Sequence, residues 1–348
     1  MTDASLVTDL LVHNDRVWRV RLSPCGTYLV SCSADCTLAI YKLLDGVPSL
    51  LQRLTPAPES PSVIRDCAFG PDGQRLFAAC YDACIYIYAL GDDEEAPFRP
   101  LAVIDKAHEK EVKGIAVSRH GTIASCSRDR AVSFWRPCAD SLDYECVGLF
   151  QAHKEDIKSV VFSPNGQNLV STSYDNTICT FKRSYNIDDD IEEWMPGGRV
   201  ESTMDARDCM VDPSAAELSS TLSPQHTVWS ASFLHDNSHF VTGDGNGCLR
   251  YYAMLGDEVA QLQCNVELHS LQPIYDTYTI DRDIILTCGE DKSICVSKLV
   301  AGQITGLLKI TDAHDGEVNT ICGMRHKGGL YLYSGGDDGR VNTWSVSL

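Results

Sequence analysis

The stretch SCSRDRAVSFW, residues 125–135, ends a run of small residues on the turn residue Asp129 and closes a second short apolar run six positions later on Trp135. It reads as a strand, a tight turn and a second strand. The same Asp-to-aromatic spacing recurs from Asp35 to Tyr41, Asp82 to Tyr88, Asp175 to Phe181 and Asp338 to Trp344, and in weaker form from Asn246 to Tyr252 and Asp291 to Ser297. Successive turn residues lie 47, 47, 46, 71, 45 and 47 positions apart. A period of that length is one four-stranded blade, and seven units make a closed all-β ring. The single long interval marks an insertion.

Six units open with a histidine (His13, His108, His153, His226, His269, His314) followed by an apolar strand, and several then show a turn such as SPCG, GPDG or SPNG. These are the features of a seven-bladed WD40 β-propeller. The entrance His, a strand Ser or Thr, the turn Asp and the strand aromatic form a buried hydrogen-bonded set in such blades, so these residues are structural rather than catalytic. The last unit ends three strands into its blade at VNTWSVSL, while residues 1–12 hold a strand, SLVTDLLV, with no blade of its own. The N-terminal strand is therefore expected to close blade seven and pair an otherwise exposed edge. One domain over 1–348 follows, with blade one at 13–57, blade two at 58–107, blade three at 108–152, blade four at 153–222, blade five at 223–268, blade six at 269–313 and blade seven at 314–348.

Formal net charge is −19 and the pI about 4.8. That balance argues against a nucleic-acid backbone or an anionic membrane surface as the main partner. No run of 18 apolar residues is present, and MTDASLVTDLL lacks the basic start of a signal peptide, so a soluble intracellular protein is expected. The 16 cysteines include no Cys-x2-Cys pair, and Cys32, Cys126 and Cys288 share one strand position with Thr172 and Gly335. They read as small core residues in reduced form, with no cofactor or metal expected. The insertion at 183–222 has ten acidic and three basic residues; it reads as a solvated loop holding blade four's outer strand, with docking through Trp194 and Met195 as the alternative. No nucleotide loop, zinc motif or nucleophile elbow is present, so the chain is not expected to be an enzyme.

Two positions per blade surface around the mouth of a propeller channel. The residue after the first apolar position of each blade gives Trp18, Arg65, Lys113, Lys158, Trp229, Tyr275 and Asn319; the residue before the turn gives, among others, Tyr81, Arg128 and Tyr174. Four cations thus cluster on blades two to four with aromatic rings around them. In so acidic a chain this suits an acidic segment or a terminal carboxylate carrying an aromatic or aliphatic side chain, and Trp, Tyr and Arg are the usual binding hot spots. Rim residues are also polar and aromatic merely because they border water, so the cluster carries the reading and no single residue does.

At these residues the sequence resembles the WD40 subunit of the cytosolic iron-sulfur protein assembly (CIA) targeting complex. The likeness lies in HEKEVKGIAVS and IASCSRDRAVSFW, in YECVGLFQAHKEDIKSVVFSPNG, in STSYDNTICTFKR and in SGGDDGRVNTWS. The ordered set from Trp18 to Asn319 looks like that family's ring, and Arg128 falls on its functional arginine. The resemblance implies a scaffold that joins a small assembly partner and a HEAT-repeat adaptor and presents apo iron-sulfur client proteins, some through C-terminal tails. It implies a cytoplasmic location, with the nucleus as a second one. The competing expectation is a general WD40 adaptor, such as a ubiquitin-ligase substrate receptor. Blade two lacks its entrance His, and blades five and six depart at Asn246 and Ser297, which marks a divergent member.

Overall fold

The computed structural model describes residues 3–186, 191–202, 227–255 and 258–348. They form seven four-stranded antiparallel sheets and no helix. The innermost strands, Val17–Leu22, Ile64–Phe69, Val112–Val117, Ile157–Phe162, Val228–Phe233, Ile274–Ile280 and Val318–His326, each pack against the next, and the last packs against the first. The result is the seven-bladed β-propeller expected from the repeat. Closure is also as expected: Asp3–Leu11 pairs antiparallel with Arg340–Ser347 as the outer strand of blade seven.

The core divides into seven apolar clusters, one at each interface between neighbouring blades. Val30, Leu38 and Ile40 of blade one, for example, meet Ile64, Leu76 and Ala78 of blade two. This explains the small residues three positions before each turn. A Cβ on Gly243 would lie 2.5 Å from the Ile274 side chain of the next blade, and one on Gly335 would lie 2.5 Å from Val17. Cys32, Cys126 and Cys288 fill the corresponding space elsewhere and are fully buried free thiols.

The polar set beneath the turn also forms where a blade carries all four hydrogen-bonding members. In blade three Trp135 Nε1–H donates to Ser125 Oγ (3.2 Å), which lies 2.8 Å from His108 Nε2, while His108 Nδ1 lies 3.0 Å from Asp129. Blades one and seven repeat it with Tyr41 and Trp344. Blade five solves its missing turn Asp differently. Asp244, two residues earlier, accepts from the N–H groups of Asn246 (2.9 Å) and Cys248 (3.0 Å) and lies 3.0 Å from the buried Arg250.

Blade four's outer strand is Ile191–Glu201. Trp194 within it is 4% exposed and stacks on Phe134 of blade three, ring centres 4.4 Å apart. Docking through Trp194 is therefore corrected: the indole is core, and only Met195 faces solvent, at 48% exposure. The rest of the insertion expected at 183–222, that is 187–190 and 203–222, lies outside the described residues, as does His226.

Candidate functional site

In every blade the pairing of the first and second strands shifts register at one residue. The shifts flank Trp18, Arg65, Lys113, Lys158, Trp229, Tyr275 and Asn319. These are the seven ring positions taken from the sequence. Each is the extra residue of a β-bulge, which breaks strict alternation and re-aims its side chain towards the channel mouth. A second recurring contact sets the rim. The N–H of the residue before each turn bonds the carbonyl of the residue before each inner strand, from Ala34 to Arg16, Tyr81 to Val63, Arg128 to Glu111, Tyr174 to Asp156, Gly245 to Thr227, Glu290 to Pro273 and Asp337 to Glu317, at 2.9–3.1 Å.

The bulged residues and part of this rim enclose a cavity of about 350 Å³. Eight of the nine candidate residues line it: Trp18, Arg65, Tyr81, Lys113, Lys158, Tyr174, Trp229 and Tyr275; Asn319 joins them. Its basic side lies on aromatic faces. The Arg65 guanidinium is 4.4 Å from the Trp18 ring centre, Lys113 Nζ 4.0 Å from Tyr81, and Lys158 Nζ 3.4 Å from Tyr174 and 5.0 Å from Trp229. Trp229 stands edge-on to Tyr174 and Tyr275 at 5.3 and 5.0 Å. Such cation–ring contacts contribute roughly 0.5–2 kcal/mol each as they become desolvated.

Arg65, Lys113 and Lys158 have no carboxylate within 4.0 Å among the described residues, whereas Arg128 and Arg340 each have one and Arg16 and Arg19 two. Burial, with Arg65 and Lys113 nearby, pushes the Lys158 amine down to about 7. The opposite side of the mouth is acidic. Tyr275 Oη–H donates to Glu290 (3.2 Å), and Asn319 donates to Asp337 (2.8 Å). Burial raises the Glu317 carboxyl above its usual range, with Asp337 and Glu290 adding to the rise.

Arg128 does not line the cavity. Its guanidinium donates to Glu111 at 3.0 Å and the side chain is 55% exposed, outside the ring. The expected four-cation cluster is thus three cations in the mouth and a fourth on the rim, held by a carboxylate of its own blade. Sequence reading missed Glu111, and with it the cavity-lining Arg16, Asp156 and Glu317. All four occupy one position, the residue before the inner strand, which the repeat alignment contains.

Below the mouth is a second feature missed at the sequence level. Arg19 is buried and spans 2.8 Å contacts to Asp66 of blade two and Asp276 of blade six. Burial would raise the Asp276 carboxyl, but Arg19 and Arg21 outweigh it and hold the group below its usual range. Arg19, Asp66 and Asp276 also share one repeat position, the residue after the bulge, so their pairing was recoverable from the alignment. Among the described residues no group of three His, Cys, Asp or Glu side chains is arranged to hold a metal ion.

The model of the WD domain, G-beta repeat (WD40), matches residues 4–42, 49–89, 98–136, 144–182, 216–252 and 306–345, more than half of the chain. Matches such as 4–42 and 306–345 begin on the outer strand of one blade and run through three strands of the next. A probable cytosolic iron-sulfur protein assembly protein 1 of Cryptococcus neoformans is 24% identical over 430 residues, covering 97% of each chain. A protein of the same description in Candida glabrata is 34% identical over 135 residues, 37% of this chain and 40% of that one. A probable cytosolic iron-sulfur protein assembly protein CIAO1 homolog of Caenorhabditis elegans is 34% identical over 126 residues, 35% of this chain and 36% of its own.

Proposed function

The chain belongs to the WD40 repeat family, and from that premise we propose that it is a non-enzymatic scaffold of cytosolic iron-sulfur protein assembly whose channel mouth holds an anionic segment of a partner protein. The observation that carries the site is the unpaired basic arc. The chain has 48 acidic and 29 basic residues, yet Arg65, Lys113 and Lys158 converge on one cavity with no carboxylate partner among the described residues. Cations held together on aromatic faces repel one another, and an external carboxylate relieves that repulsion while the rings cover an apolar side chain.

The pathway reading draws on the relatives, whose names place them in cytosolic iron-sulfur protein assembly. The partners proposed are a small assembly partner, a HEAT-repeat adaptor and apo iron-sulfur clients, met in the cytoplasm and presented in part through C-terminal tails. The mouth takes the carboxylate, and Arg128 offers a second contact on the rim once it leaves Glu111.

The test is a pull-down from an extract of the source organism with the wild type and with an R65E/K113E double variant, read by mass spectrometry. The wild type is expected to recover iron-sulfur assembly proteins and apo-clients, and the variant to lose part of that set while keeping a native circular dichroism spectrum. Burying charge-assisted hydrogen bonds at about 1.5–3 kcal/mol each makes the loss tenfold or more. Equal recovery by both proteins would remove the site. Recovery of ubiquitin-ligase subunits without assembly proteins would remove the pathway.

A further inference from the structure

We infer that the mouth takes up a proton when it binds its anionic ligand, and that the Lys158 amine receives it. This rests on the carboxylate reading above and adds its regulation: binding that weakens as pH rises through neutrality.

The geometry is specific to Lys158. It is the bulged residue of blade four's inner strand, Ile157–Phe162, and its residue is 9% exposed. Its Nζ rests 3.4 Å from the Tyr174 ring centre and 5.0 Å from that of Trp229. The rings supply only the weak negative potential of their faces, and no carboxylate lies within ion-pair distance among the described residues.

The charged groups that face it are few. Blade two contributes Arg65 and blade three Lys113, and both disfavour a further positive charge. Asp156 on its own blade acts the other way, more weakly than burial and Arg65, and the Cys126 thiol of blade three, pushed up by burial, brings no charge near neutral pH. The adjoining inner strand of blade five, Val228–Phe233, brings Trp229 and no titratable group. No histidine lines the cavity.

With burial the largest influence, the free amine sits at about 7. It is therefore mostly neutral slightly above that pH. A carboxylate seated against Arg65 and Lys113 supplies the missing counter-charge and raises the amine again. One proton then moves from solvent to Nζ as the ligand enters. The sign follows from linkage: affinity is level below about pH 6.5, where the free amine is already charged, and falls by up to roughly tenfold per pH unit above about 7. An arginine at this place would hold its charge throughout and give no such dependence.

Two measurements on the full chain test this. The first follows the Lys158 resonance of the free protein by NMR with labelled lysine side chains, assigned by its loss in K158R. A midpoint near neutral pH is expected, and a midpoint in the ordinary lysine range overturns the inference whatever the ligand does. The second is calorimetry at pH 7.6 in phosphate and in Tris, with a synthetic glutamate-rich decapeptide that ends in phenylalanine and a free carboxylate. Uptake of more than half a proton is expected for the wild type and none for K158R, whatever the variant's affinity. Binding without uptake overturns the inference and leaves the carboxylate site standing. No binding at any pH between 6 and 8 overturns the carboxylate site, and the inference falls with it.

Discussion

In blade three the Trp135 indole can only donate and the Asp129 carboxylate can only accept, and the bonds between them run in one direction. Trp135 donates to Ser125, Ser125 to His108 Nε2, and His108 Nδ1–H to Asp129. Asp129 also accepts from the N–H groups of Glu109 and Ala131, each at 2.9 Å. Its carboxylate thus ends a chain of donors, and Asp129→Ala strands several of them together. The expected cost is about 2–4 kcal/mol, read as a thermal midpoint roughly 3–5 °C lower. The neighbouring Arg128→Ala should leave that midpoint unchanged, because the side chain stands in solvent beside Glu111, and should weaken capture of the anionic partner. Equal destabilisation by both substitutions would make Arg128 part of the blade and remove its proposed role. Asp129 was legible from the repeat, since each blade restates its job. The partner of Arg128 was not, because Glu111 is 17 residues away and meets it only through the backbone bond that joins turn to strand.

At the scale of the element the β-bulge turns a repeat into a site. Strict alternation would send neighbouring blades' side chains into the interface or the channel wall, whereas one extra residue per inner strand lifts seven side chains towards the mouth. That is why a spacing rule found the ring without coordinates: the bulge falls at the same place in each copy. The outer strand of blade four shows where such a rule stops. The interval of 71 residues breaks the period, and the local pattern inverts ordinary hydrophobic alternation, with Glu192 buried and Ile191 exposed. Glu192 is tolerated there because Thr122 (2.7 Å), Trp194 (2.9 Å) and Arg183 (3.2 Å) all donate to it. Trp194 then fills the seam between blades three and four against Phe134 and Phe162. Trp194→Ala should cost about 3–5 kcal/mol, measured as a lower denaturant midpoint, with Met195→Ala close to neutral. A neutral Trp194→Ala would mean that this strand is not part of the cooperative core.

For the whole molecule the question is what makes seven similar blades one cooperative unit. The N-terminal strand answers part of it, since Asp3–Leu11 completes blade seven from the opposite end of the chain and leaves the ring no unfinished blade. Arg19 answers another part. From blade one it reaches Asp66 of blade two and Asp276 of blade six, and Asp276 in turn accepts from Thr320 Oγ1 (2.9 Å) and the Ile321 N–H (3.1 Å) of blade seven. On the other side Asp66 accepts from the Ile115 N–H (3.1 Å) of blade three, so five consecutive blades around the closure point share one buried charge network. Such a network adds little over a well-packed apolar replacement, but removing one partner leaves the others charged, buried and unpaired. Arg19→Met exposes that asymmetry by leaving Asp66 without its cation and Asp276 with Arg21 alone, at 3.3 Å, at a cost of about 3–5 kcal/mol. Urea unfolding should show a lower midpoint with one transition still, because the strain falls on the closure that all blades share. Adding Asp66→Asn and Asp276→Asn to Arg19→Met should recover part of the loss by removing the stranded charge, although amides accept fewer of the hydrogen bonds given by Cys67, Ile115 and Ile321. Wild-type stability in Arg19→Met, or a second transition confined to a few blades, would show that packing between blades closes the ring without help from the channel.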